Sequence, residues 1–286
     1  MQETKFEGVC LARNENFLKR IVSHERDLNK YPSMESLREA ISDFHEVKPS
    51  NVILGNGIIG VFRTVCMTLD NLGIREVQSN EKPYAGFKDI LKSFGMNIVR
   101  DGANARLATN PSNPFGTYNY FPNDGSINIY DEAYIEYENV RSSIEDIGQG
   151  STIVMRTFSK AYGMASIRVG YAIVSDNLSD LMRMCEGNYT LSEHSASLAE
   201  MAICSPGFLY KSIEANLISR LHLEKGLRDL GFTVTVSIAN FVVANVPEVE
   251  GFSVRDLTPY GLAEKRITTS SIQVMDDYLT KLKESI

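Results

Sequence analysis

Lys160 is the residue of this chain best placed to do chemistry. It sits in the run Arg156-Thr157-Phe158-Ser159-Lys160-Ala161-Tyr162-Gly163, and Arg168 follows eight positions later. The apolar segment Thr152-Ile153-Val154-Met155 before it reads as a short buried strand, and Val169 to Val174 after it reads as another. Lysines prefer solvent. One held partly out of water gives up its proton more readily and becomes a nucleophile toward an aldehyde. Thr157 and Ser159 offer hydroxyls and Arg168 a cation, which together can hold a phosphate beside that amine. Each residue also has a plainer role: a solvated loop lysine, a surface arginine, and two turn or helix caps.

Complementary groups occur upstream. Ser126 to Tyr130 alternates like a strand, which puts Asp131 at its C-terminal end, where open α/β sheets bind ligands. A carboxylate there can pair with a protonated ring nitrogen, or it can simply cap a helix starting at Glu132. The hydroxyl of Tyr134 and the amide of Asn113 can reach a phenolic oxygen on the same ring. Asn113 lies in Asn110-Pro111-Ser112-Asn113-Pro114-Phe115-Gly116, which is turn chemistry throughout and equally reads as a bare loop. Val52 to Leu54 reads as a strand, Gly55-Asn56-Gly57-Ile58 as a Gly-rich turn, and the residues to about Leu69 as a helix. The free N–H groups of such a helix start bind phosphate. A lysine nucleophile, a phosphate clamp and a carboxylate for a ring nitrogen are the needs of a pyridoxal phosphate enzyme.

The segments around Asn113, Asp131 and Lys160 resemble those of the class I and II pyridoxal phosphate aminotransferases. Within that family the chain is most similar to histidinol-phosphate aminotransferases, from Leu11-Ala12-Arg13-Asn14 to Lys265-Arg266-Ile267-Thr268. The resemblance implies an α/β protein of fold type I: a doubly wound, mainly parallel large-domain sheet with a small α+β domain. It implies that Lys160 carries the cofactor covalently and that Asp131 pairs with the ring nitrogen. Asn113 and Tyr134 would bond the phenolic oxygen. Asn56, Gly57, Ile58, Thr157, Ser159 and Arg168 would hold the phosphate, with Tyr84 stacked on the ring. Tyr31 would reach the cofactor of a second subunit in a homodimer. Arg266 would bind the substrate carboxylate as a fork, with Asn14 as a further substrate contact. Arg255 would bind a distal anion, or else lie in solvent paired with Asp256 or a nearby Glu. The chain is also trimmed: the spacing from Asn113 to Asp131 is too short and turn-rich for the helix the family normally places there.

Composition is compatible with this reading. The 286 residues are 43% hydrophobic, enough for a substantial core. A net charge of −7 without a basic cluster argues against nucleic acid. No apolar run approaches a membrane span, and Met1 to Lys5 carries no signal-peptide core. Four scattered cysteines suggest a reducing, cytoplasmic setting, and four isolated histidines support no metal site. The expected organisation is an arm over 1–30, a large cofactor-binding domain over 31–203 and a small domain over 204–286, with Ser205-Pro206-Gly207 as hinge. Phe208 to about Leu230 reads as a helix with apolar Leu209, Ile213, Leu217, Leu221 and Leu223. Three functions are open: transfer of an amino group between small-molecule donor and acceptor, one of them acidic or phosphorylated; decarboxylation of an amino-acid phosphate; and a non-catalytic relative. The retention of Lys160, Asp131, Asn113 and Arg168 argues against the last.

Overall fold

The structure is a computed structural model that describes residues 9–11, 31–79, 83–138 and 140–286. In chain order the elements are β1 (Val9–Leu11), α1 (Glu35–His45), β2 (Val52–Asn56), α2 (Gly57–Asn71), β3 (Glu76–Gln78), α3 (Ala85–Ser93), β4 (Asn97–Val99), β5 (Ala105–Thr109), β6 (Ile127–Asp131), β7 (Thr152–Thr157) and β8 (Val169–Val174). They continue with α4 (Asp176–Cys185), α5 (Glu193–Ile203), α6 (Pro206–Asp229), β9 (Val234–Thr235), β10 (Phe241–Ala244), β11 (Phe252–Asp256), β12 (Lys265–Thr268) and α7 (Ile272–Glu284).

Two sheets organise these elements. The larger has the order β2-β8-β7-β6-β5-β3-β4, and β8 alone runs against the rest. Its central strands are buried along their whole length, as near-continuous apolar strands covered on both faces must be. Successive side chains point to opposite faces. Ile53, Ile129 and Ile153 pack with Phe62, Val65 and Leu69 of α2, whereas Val52, Leu54 and Ile173 pack with Leu37 and Ile41 of α1. The smaller sheet has the order β1-β11-β12-β10-β9. It buries Val242, Ala244 and Ile267 against Leu223 and Leu227 of α6 and Met275 and Tyr278 of α7.

Two expectations need correction, and one strand was not expected. No turn separates β2 from α2: the strand ends at Asn56 and the helix begins at Gly57, which takes a left-handed φ of 63°. Phe252–Asp256 is a strand although its burial is only partial. In α6, Leu217 and Leu221 are exposed, and the buried face carries Ser212, Asn216, Ser219, Arg220 and Glu224 as well as Leu209, Leu223 and Leu227. The reason is polar: that face hydrogen-bonds to three other segments. Ser212 Oγ donates to Ala161 O at 2.6 Å, Ser219 Oγ to Ser270 O, and Arg220 to Glu138, while Asn216 Oδ1 accepts from Thr269 Oγ1 at 2.7 Å. Apolar spacing alone cannot reveal a buried face built from hydroxyls.

Candidate active site

Parallel pairing brings the chemical residues to one edge. Thr109, Asp131 and Met155 are register partners across β5, β6 and β7, so the C-terminal ends of these strands are level. Asn113 follows β5, Asp131 ends β6, Tyr134 comes shortly after, and Lys160 follows β7. Because β8 runs back, its first neighbour Arg168 lies at the same edge, where β2 ends and α2 begins. Open α/β sheets place ligands outside these strand ends.

The β2–α2 junction and the start of β8 form a tight cup. Gly57 N–H donates to Arg168 O at 2.7 Å. A Cβ on Gly57 would overlap the Arg168 guanidinium, and one on Gly170 would lie 2.6 Å from the backbone of Gly57 and Ile58. Glycine is therefore required at both positions, and the guanidinium rests on the first turn of α2. Arg168 Nη1 donates to Ala165 O at 2.9 Å and reaches Ser159 Oγ at 3.5 Å. Ser159 N–H donates to Thr157 Oγ1 at 3.1 Å, which fixes the turn. Asn56, at the N-cap, makes no side-chain capping bond. First-turn N–H groups of a helix lack intrahelical acceptors. Together with the guanidinium and the Ser159 hydroxyl they are suited to hold a dianion.

Asp131 is buried and forms no ion pair among the described residues. Its Oδ1 accepts from Ala133 N–H at 3.2 Å, so the turn-capping reading also holds. Burial pushes its carboxyl up to about 7, against the pull of the Ala133 N–H and the Lys160 amine, with Glu132 adding a small upward push. A buried carboxylate without a cation is costly unless it is protonated or given a cationic partner. Lys160 is half-buried, with its Nζ 5.6 Å from the centre of the Tyr134 ring. Tyr134 is buried edge-on against Phe241.

Arg266, on β12, reaches in from the small sheet. Its Nη1 donates to Asn113 Oδ1 at 2.6 Å, and its guanidinium lies over Phe241 at 5.2 Å. A guanidinium cannot accept, so the Asn113 oxygen faces it and the Asn113 NH₂ points elsewhere, ready to donate. Burial lowers the guanidinium's proton affinity; Tyr134 opposes this, Arg255 adds to it, and Tyr260 opposes it. Arg255 is the direct cross-strand partner of Arg266, so both start from one face of the sheet. Arg255 forms no ion pair among the described residues, and Asp256 instead accepts from Thr258 N–H at 3.0 Å.

The remaining expected residues are more scattered. Tyr84 precedes α3 and is half exposed, its ring folded over Gly86 and edge-on to Phe87. Tyr31 is 81% exposed and stacks on Tyr189 at 4.7 Å. Asn14 lies outside the described residues. Among the described residues no group of His, Cys, Asp or Glu is arranged to hold a metal, and no helix is long and apolar enough to cross a membrane.

A buried ion cluster went unread in the sequence. Glu132 accepts from Arg156 Nε at 3.0 Å, from Ser143 N–H at 2.7 Å and from Ser142 Oγ at 2.8 Å. Arg156 Nη1 also donates to Glu136 at 3.1 Å. The cluster ties the segment after β6 to β7 and so sets Asp131 and Tyr134 relative to Lys160. The available signal was charge inside strand-like runs, at the residue next to Asp131 and at the one before Thr157.

A sequence model described as "Aminotransferase class I and II" matches residues 107–276. The chain belongs to the class I and II aminotransferases. This aminotransferase is 28% identical to histidinol-phosphate aminotransferase 2 of Methylococcus capsulatus, over 86% of its own length and 79% of the relative's. It is 29% identical to histidinol-phosphate aminotransferase 1 of Archaeoglobus fulgidus, over 90% and 91% of the two chains. Its fold matches the crystal structure of histidinol-phosphate aminotransferase from Sinorhizobium meliloti in complex with pyridoxal 5′-phosphate, with a TM-score of 0.84 at 20% identity, covering 98% of this chain and 91% of that one. The architecture is thus the α/β fold type I, and the family match favours amino transfer over decarboxylation. Pyridoxal 5′-phosphate is the cofactor of this aminotransferase. The residues fit it: Asp131 is a buried carboxylate without an ion-pair partner, and the glycine-floored cup beside Arg168 suits a phosphate.

Proposed function

We propose that this aminotransferase moves an amino group between two small molecules, one of which carries a phosphate or a second acidic group, as the names of its relatives suggest. The observation that carries the reading is the convergence of Lys160, Asp131 and the Gly57–Arg168 cup at one sheet edge, with the Arg266 guanidinium alongside. In this proposal Lys160 would hold the resting cofactor covalently, and its Nζ, once displaced by the substrate amine, would be the base placed to take the proton from the substrate Cα. Asp131 holds the ring nitrogen protonated, while Asn113 Nδ2 and the Tyr134 hydroxyl donate to the phenolic oxygen. Backbone N–H groups of Ile58 and its neighbours, with Asn56, Ser159, Thr157 and Arg168, bind the phosphate, and Tyr84 covers the ring. When bound, the cofactor supplies an electron sink for the Cα carbanion. Arg266 binds the substrate carboxylate as a fork, and Arg255 meets a distal anion.

We propose further that residues 31–203 and 204–286 act as large and small domains, with 1–30 as an arm. The pairing of β1 with β11 supports the arm's place beside the small sheet. A cytoplasmic homodimer with Tyr31 directed at the partner's site completes the reading, and the exposure of Tyr31 supports it. Borohydride reduction of the holoenzyme followed by peptide mapping tests the first claim. Label on the peptide containing Lys160 is expected, and label on another lysine overturns it. Incubation with a panel of amino acids and amino phosphates, read by absorbance and mass, then gives the substrate. Release of carbon dioxide with an amine product, and no conversion of the cofactor to pyridoxamine phosphate, would replace transfer by decarboxylation.

A further inference from the structure

β5 and β6 are adjacent parallel strands, and the crossover that joins them runs from Asn110 to Ser126. Such crossovers are usually helical, and a helix satisfies the backbone groups of its own residues. This one contains neither helix nor strand. Side chains supply many of its bonds instead. The half next to β6 is pinned by side chains of the two strands. Tyr130 Oη accepts from Phe121 N–H at 3.0 Å, Arg106 Nη1 donates to Asp124 at 3.0 Å, and Asn128 Nδ2 donates to Pro122 O at 3.3 Å.

The half next to β5 carries Asn113, and Asn110 closes it. Asn110 is fully buried, so both ends of its amide need partners. Both find them on the backbone of Asn119: Oδ1 accepts from the N–H at 2.8 Å, and Nδ2 donates to the carbonyl. A backbone residue makes the same two-bond exchange with its partner in an antiparallel pair. The Asn110 N–H meanwhile donates to Asp131 O at 2.8 Å. Within the ring so closed, Ser112 and Thr117 form a smaller one. Ser112 N–H donates to Thr117 O at 2.6 Å, and Thr117 N–H to Ser112 Oγ at 3.1 Å. Asn113, Pro114 and Phe115 are left at the tip. There Asn113 Oδ1 meets Arg266, and Gly116, with a left-handed φ of 68°, packs against Ser237 in the turn before β10. The tip is held from the front by the small sheet and from behind by the Asn110 ring.

We propose that Asn110 is a positioning residue for the reaction: by pairing with Asn119 it sets the direction in which the Asn113 NH₂ donates. This rests on the reading above, in which Asn113 Nδ2 donates to the phenolic oxygen of the cofactor. The contact with Arg266 fixes only the Asn113 oxygen. Without the ring, the loop swings about that contact and the NH₂ leaves its target.

The visible absorbance of the holoenzyme, titrated with pH, reads the donation, because a hydrogen bond to the negative oxygen favours the deprotonated chromophore. Asn113→Ala should raise the midpoint by roughly one pH unit or more, the size expected for a lost hydrogen bond to a charged group. Asn110→Ala should raise it by roughly half of that or more, and so should Asn110→Ser, whose side chain is too short to span the ring. In the Asn113→Ala background, Asn110→Ala should add nothing, because residues that act through one group are not additive. A residue that only stabilises the fold moves the denaturant midpoint and leaves the absorbance midpoint where it is. An unchanged absorbance midpoint in the Asn110 variants, beside a raised one in Asn113→Ala, overturns the proposal and leaves the reading of Asn113 standing. Equal shifts with and without Asn113 also overturn it, since Asn110 then acts by another route. No shift in Asn113→Ala overturns the reading of Asn113 and the proposal with it. If neither Asn110 variant folds with cofactor bound, Asn110 is structural only and the proposal falls.

Discussion

Asp131 is the residue whose setting has the sharpest measurable consequence. An ordinary carboxylate titrates near 4, and in the cofactor-free fold burial raises this one to about 7. Between those values the unfolded chain gives up a proton that the folded chain keeps. The stability of the cofactor-free protein should therefore fall as pH rises through that window, by up to about 4 kcal/mol from this residue alone. Denaturant titration at about pH 5 and about pH 8 measures it. Asp131→Asn should flatten the dependence, whereas a wild-type profile in that variant would show that other groups cause it. In the holoenzyme, Asp131→Ala should keep some cofactor and lose turnover by roughly 4 kcal/mol of barrier or more. A near-normal kcat would leave Asp131 only its turn-capping bond to Ala133. Residues of this kind are legible in sequence because their identity is their chemistry: Lys160, Asp131, Asn113 and Arg168 do meet at one edge. Glu132 and Arg156 were not legible, because their importance lies in each other's position across two strands.

At the scale of elements, the apolar runs of β6, β7 and β8 announce themselves, since strands buried on both faces need no polar side. β11 does not, because its burial is only partial. The β2–α2 junction was read as a Gly-rich turn, but its glycines serve contact more than turning. Gly170 is the clearest case, and no motif marks it as a packing residue. Gly170→Ala would drive a methyl group into the Gly57–Ile58 backbone and should destabilise the fold by about 3 kcal/mol. Gly57→Ala meets the Arg168 side chain and must also hold a left-handed backbone. It should weaken cofactor retention more than it weakens folding. Dialysis of the holo variant with absorbance readout checks this, and normal retention would remove the cup from phosphate binding.

For the whole molecule, the proposed dimer makes a mixing test possible. Light scattering should give twice the 31.9 kDa chain mass. If Tyr31 serves the partner's site, Tyr31→Phe and Lys160→Ala subunits should regain activity on exchange, because one of the two sites in a hybrid is intact. No recovery, or full activity in a monomer, would count against shared sites.

One helix spans the parts that such a site must align. α6 has 24 residues, about 36 Å at 1.5 Å per residue. Ser212 holds the carbonyl next to Lys160, Arg220 holds Glu138 beyond Tyr134, and Ser219 and Asn216 hold the chain just past Arg266. The helix thus acts as a gauge bar between the lysine loop and the strand that carries Arg266, and its setting is a residue count. A single alanine inserted between Ser212 and Asn216 would turn everything beyond it by about 100° and advance it by about 1.5 Å. Hydroxyls that now meet their carbonyls would face water. The lysine end of the bar would stay where it is, so the cofactor should remain bound while KM for the carboxylate substrate rises. The length of this helix is fixed by the contacts it makes at both ends.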